Sequence, residues 1–327
     1  MKTRCFWLTG LLLLPVVFAA DQPVSTAAPK KPVKQGGDFV FSLLPKAFSK
    51  NPFVNMTVFT EMTEEGKKLP PPTPDSPAYY IAQSAGFHAF GPPVARLTPP
   101  TQESIERVLR TTLDGEGYQV EAPPEHAATL VVIYSWGLHS KVEPLGDEEN
   151  GESTYNANAG IKNLYERAAL IGGEKYAQKL VEANMTAITQ SADLDDALAN
   201  SGRVGSPILT PEAMAFFKKM NPVQQLYDSS PNMAELMEQT NEDVYFVVAS
   251  AYDYQAMGKN RRILLWRTKM TVDTKGVSMT DTLPAVIVAA GPYFGRETEE
   301  ATVLTKRVVR QGKVDVGTPT VVEPVKK

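Results

Sequence analysis

The chain has 327 residues, 43% of them hydrophobic, and a formal net charge of −4. That length can bury a large core in one or two domains. The mild acidity excludes the dense basic surface that nucleic acid requires, and the pairs Arg261-Arg262 and Lys306-Arg307 read as solvated faces.

Residues 1–20 read as a cleavable secretory signal peptide. Lys2 and Arg4 supply the positive start, Phe6 to Phe18 the apolar stretch, and Val17-Phe18-Ala19-Ala20 the cut site, after Ala19 or Ala20. A membrane-spanning helix needs about 20 apolar residues, and Asp21 arrives too early for one. The only cysteine, Cys5, lies before the apolar run, so the cysteine of a lipoprotein is missing. Cleavage would leave 307 residues without cysteine, and so without disulfide, thiol nucleophile or thiolate metal site. The charge would become −6, because Lys2 and Arg4 leave with the signal. The expected location is periplasmic or secreted, with the core alone holding the protein together. No later stretch predicts a transmembrane segment; the best, Leu283 to Ala290, is too short and contains Pro284.

Residues 21–37, rich in Pro, Lys, Ala and Gly, read as a disordered leader. Phe39 to Leu44 predicts a strand stopped by Pro45, and Asn55 to Met62 a half-buried one. The Pro-rich bridge Leu69 to Pro74 leads to a strand over Tyr79 to Ala89, ended by Gly91-Pro92-Pro93. A helix is expected from Thr98 as cap with Pro99 in its first turn, and Ile105, Val108, Leu109 and Leu113 on one face. Tyr118 to Val120 is a short strand. Leu130 to Trp136, apolar without alternation, predicts a central strand covered on both faces.

An acidic loop, Gly146 to Glu152, opens a helical region reaching Gln239. Ile161, Leu164, Tyr165 and Ala168 share a face, Gly172-Gly173 breaks the helix, and Tyr176, Leu180 and Val181 resume it. Thr210-Pro211-Glu212 caps another helix with Met214, Phe217 and Met220, and Pro231 opens a last one with Met233, Leu236 and Met237. Strands over Val244 to Tyr252 and Arg262 to Val272 are expected to pair across a turn at Met257 to Asn260. Asp273 to Gly276 is a further turn, Thr280 to Ala290 a helix stopped by Gly291-Pro292, and Val303 to Val309 either helix or strand. The resulting fold class is α+β: a mixed sheet with packed helices and a mainly helical insertion at about 150–240. The expected boundaries are one domain over 38–317 and a disordered tail over 318–327.

Two groups of motifs carry a resemblance. The helix end Gly117-Tyr118, the strand Ala127 to Tyr134, the strand Phe246 to Asp253 and Leu264-Leu265-Trp266-Arg267 are similar to small envelope proteins of unknown function, often lipoproteins. Over about a third of the chain the pattern matches, with Thr129 where that family has Asp and with an extra helical insertion. Phe41 to Lys46 and Gly291 to Arg296 resemble uncharacterised exported bacterial proteins. Neither resemblance implies an activity or a site.

Catalytic signatures are sparse. No Gly-x-Ser-x-Gly elbow, Ser-x-x-Lys pattern or His-Glu-x-x-His helix occurs. Gly115-x-Gly117 leaves a helix and enters a strand, the reverse of a dinucleotide motif, and Gly172-Gly173 lacks the Lys of a phosphate loop. The acidic stretches Asp147 to Glu152 and Asp193 to Asp196 lack calcium-loop spacing and read as solvated turns. His88, His126 and His139 have no ligand spacing and read as scattered histidines rather than a zinc site. No cofactor and no metal is expected.

One constellation stands out. Tyr134, Trp136 and His139 end one strand, and Tyr252, Asp253 and Tyr254 end another. If the two strands run parallel as neighbours, these six gather at one sheet edge as a ligand groove. The alternative is that they are core and rim aromatics. The functional expectation is a non-catalytic exported envelope protein that binds or scaffolds a partner, with its oligomeric state open. An envelope hydrolase with a dispersed site and a small-ligand binder at the Tyr134/Tyr252 edge are the alternatives.

Overall fold

The computed structural model describes residues 51–95, 97–142, 157–200 and 220–308, without the side chains of 157, 158 and 193–200. The expected strand at Phe39 to Leu44, the acidic loop, the helix capped at Thr210 up to but not including its last residue Met220, and both tails lie outside these residues, as does the signal segment.

In chain order the elements are β1 (Phe53–Met62), α1 (Glu64–Lys67), β2 (Ala78–Phe90), α2 (Gln102–Gly115), β3 (Tyr118–Val120), β4 (Leu130–His139) and α3 (Ala157–Asn200). There follow α4 (Pro222–Tyr227), α5 (Pro231–Thr240), β5 (Val244–Asp253), α6 (Tyr254–Gly258), β6 (Leu264–Asp273), α7 (Met279–Ala290), a 3-10 turn (Gly291–Tyr293) and β7 (Thr302–Arg307). The strands form one sheet in the order β3-β2-β4-β5-β6-β1-β7. β2 runs parallel to β3 and β4, and every other pairing is antiparallel. The sheet is therefore mixed and the fold α+β.

Helices cover both faces. Alternate residues of the strands, among them Met56 and Val58 of β1, Val132 of β4 and Met270 of β6, meet Ile105, Leu109 and Leu113 of α2 and Leu283, Val286 and Ile287 of α7. The opposite face, through Phe59, Val244 and Val303, meets Ala168, Ile171, Tyr176 and Leu180 of α3 and Leu236 and Met237 of α5. This is the period-2 division that a pleated strand imposes. The helices inserted between β4 and β5 thus bury their apolar stripe on the sheet. α3 is two helical stretches joined at Gly173, whose φ of 82° only glycine adopts readily, and whose Cβ would strike the Phe59 ring.

Four local expectations change. α2 starts three residues later than Thr98 suggested, with Thr101 accepting from Ser104 N at 3.3 Å. Pro99 precedes Pro100, which disfavours helical geometry at Pro99. The connection from β5 to β6 carries the short helix α6 before the turn at Asn260. Val303 to Val309 resolves as strand β7 over Thr302–Arg307, pairing with β1. α4 is an element the periodicity did not reveal, although Asn221 followed by Pro222 is a cap signal: Asn221 Oδ1 accepts from Val223 N at 2.8 Å.

Candidate functional site

The six-residue groove is not assembled. β4 and β5 are antiparallel neighbours, with Leu130 opposite Asp253 and His139 opposite Val244. Trp136 and His139 therefore lie toward one end of the pair, Tyr134 near its middle opposite Ala249, and Tyr252, Asp253 and Tyr254 at the other end. Nine residues of extended chain, about 30 Å, separate His139 from Asp253. The pleat divides the first trio further. Tyr134 and Trp136 are buried on the α2/α7 face, where the Tyr134 hydroxyl donates to Glu106 Oε2 at 2.9 Å. Burial, joined by that carboxylate, pushes the Tyr134 phenol up to about 12. These two are core aromatics. His139 points the other way and lies 3.8 Å from Glu166 of α3. Tyr252 is half-buried and Tyr254 is 41% exposed.

The histidines also stay apart. His126 stacks on Tyr79 at 4.5 Å, near the start of β2. His88 and His139 flank Phe90 at its far end, at 5.9 and 5.4 Å between ring centroids. Among the described residues no group of histidines and carboxylates is arranged to hold a metal ion.

His139 is nonetheless a perturbed group. Burial lowers its pKa, and the neighbouring Arg167 guanidinium lowers it further, against upward pulls from the Ser140 backbone, Glu166 and Asp243. The folded state thus prefers neutral imidazole, so the stability His139 contributes is complete above its unfolded value near 6.5 and is lost as pH falls below it. Denaturant midpoints measured from pH 7 down to pH 5 are expected to fall more steeply for the wild type than for His139→Gln. Parallel curves would refute this.

Asp253 belongs to a different assembly. At its end of the sheet lies a cleft of about 280 Å3, whose wall includes Leu130, Asp253, Leu265 and Trp266 from the strands and Leu69, Pro70 and Pro72 from the Pro-rich bridge. Local sequence builds it. The Pro-rich bridge cannot enter the sheet, since proline has no N–H to give, and it doubles back through reciprocal backbone bonds between Thr73 and Ser76. Helix α1 lies so close to β6 that a Cβ on Gly66 would overlap the Leu265 carbonyl. Tyr118 comes from β3 and meets Trp266 edge-on, with ring centroids 5.7 Å apart. Both rings are 3% exposed. Burial holds the Tyr118 phenol well above its ordinary range, so it stays protonated. Asp253 Oδ1 accepts from Ala256 N at 2.6 Å as the cap of α6. The cleft is therefore apolar, stiff, and edged by one carboxylate.

A second hollow, of about 320 Å3, is lined by Glu235, Glu238, Glu242 and Asp273, with Lys275 bonded to Glu242. Every residue that lines it is polar or charged, and its lysine offsets part of the acidic charge.

Sequence reasoning found Asp253 but missed Tyr118, Trp266 and the Pro-rich wall as a site. The available signals were Trp266 in an otherwise aliphatic strand and Leu69 to Pro74 as a rigid segment. Compared with protein-family models and with curated proteins, the chain matches neither.

Proposed function

We propose that this chain is an exported envelope protein that works by binding, and that the Asp253 cleft receives an apolar group presented by its partner. The observation that carries this reading is the cleft itself: a mostly apolar hollow near the low end of ligand-pocket size, with Asp253 as the one charged residue of its wall. A rigid wall favours binding, because little ordering is required when a ligand enters. Binding is preferred to hydrolysis because the one carboxylate there already caps a helix, and His88 and His139 lie at the far end of β2. The charged, apolar and small-residue order of residues 1–20 supports export.

Titration of the 21–327 chain with the neutral fluorophore prodan is the direct test. Saturable one-site binding with a blue shift is expected, weakened about tenfold or more by Ser76→Phe, which adds a ring to the cleft wall. Absence of binding, or indifference to Ser76→Phe, overturns the cleft as the site. Turnover of an ester, phosphate or glycan that a single substitution abolishes overturns the non-catalytic reading. An intact mass of the envelope-fraction protein that still includes residues 1–19 overturns cleavage.

A further inference from the structure

The chemistry of the cleft also selects the charge of what enters it. We infer that its ligand is a small organic cation, an ammonium group carried on a short apolar or aromatic body. This rests on the cleft being a binding site. The body is specified by the wall: Trp266, Leu130, Leu265 and Met62 with Pro70 and Pro72. A volume of about 280 Å3 suits a single ring with a short side arm.

The ammonium is specified by Asp253. Among the described residues its bond is the one from Ala256 N at 2.6 Å, and no Lys or Arg side chain pairs with it. An ionised carboxylate has about four acceptor positions, so most of its capacity is turned to water. A ligand seated on the apolar wall displaces that water. The loss is offset only if the ligand supplies a donor in its place, and a charged donor does so about twice as strongly as a neutral one. An anion meets direct repulsion instead. The acidic chain adds a weaker field of the same preference. Trp266, which lines the same cleft, adds apolar surface for the body of such a cation.

The neighbouring donors agree with this division. Thr129, also on the wall, gives its hydroxyl proton to the Tyr79 carbonyl at 3.2 Å and so can meet a ligand only as a neutral acceptor. Asp253 is the one carboxylate among the residues that line the cleft.

Isothermal titration of the 21–327 chain with benzylamine, benzyl alcohol and benzoate at pH 7 tests this, because the three share a body and differ in charge. Benzylamine is expected to bind about tenfold more tightly than benzyl alcohol, and benzoate weakest. Asp253→Asn should remove the preference while keeping the cap of α6, since asparagine caps as well as aspartate. Equal binding of benzylamine and benzyl alcohol overturns the cationic inference and leaves the cleft as a site. Binding by none of the three overturns both. The wild-type series decides even if Asp253→Asn folds poorly, and Asp253→Ser provides a second cap-retaining variant.

Discussion

Trp266→Ala is expected to lower stability by roughly 3–5 kcal/mol, the range for deleting a buried large aromatic. Trp266 sits in β6 between Met62 of β1 and Ala251 of β5. Its ring touches Tyr118 at 5.7 Å and Phe294 at 5.9 Å between centroids, and 97% of its surface is hidden. Alanine leaves a void where three elements converge, and the sheet backbone cannot collapse into it. Trp266→Phe should lose less, because most of the ring volume remains. Urea denaturation measures both. Binding of prodan should disappear in Trp266→Ala and persist, weakened, in Trp266→Phe. A loss under about 1 kcal/mol for the alanine variant would show that the ring does not fill the sheet–cleft junction.

Gly137→Ala should be nearly as damaging, at about 3 kcal/mol, the upper end for overpacking. Gly137 lies in β4, opposite His88 of the parallel strand β2 and Phe246 of β5. A Cβ there would stand 1.8 Å from the His88 carbonyl oxygen and 2.8 Å from the Phe246 ring. The carbonyl is backbone in a hydrogen-bonded strand and cannot turn aside, so β2 and β4 must spread. Gly86, in the bulge of β2, is the control. Its Cβ would meet nothing within 4 Å, and the cost there is only that of its φ of 88°, about 1–2 kcal/mol. Thermal and urea unfolding should therefore rank Gly137→Ala clearly below Gly86→Ala. The reverse order would place the strain in backbone conformation rather than in strand spacing.

Much of the fold was legible locally. Asn55 to Met62, Leu130 to Trp136 and Val244 to Tyr252 announce strands because β-branched and aromatic residues suit a pleated surface. Ile105, Leu109 and Leu113 recur at helical spacing, and Pro231 and Gly173 punctuate helices as their backbone restrictions demand. The site was less legible. Asp253 was singled out as a strand end, but its partners there come from β1, β3, β6 and a loop far away in sequence. Tyr134 and Trp136 looked like groove aromatics because a strand end and a strand centre read alike. Only the extension of β4 to His139 places both inside the core.

The sequence by itself determined which segments become strands and helices, because propensity, periodicity and caps act within a few residues. The tertiary structure alone decided the direction of β5 against β4. Between them runs the helical insertion, and its length permits either a parallel or an antiparallel return. The outcome depends on how α3 and α5 bury their stripe against Phe59, Val244 and Val303. That choice sends Asp253 to the end away from His139, beneath the Pro-rich bridge and beside Trp266. The candidate site follows from this long-range packing, which no local pattern encodes.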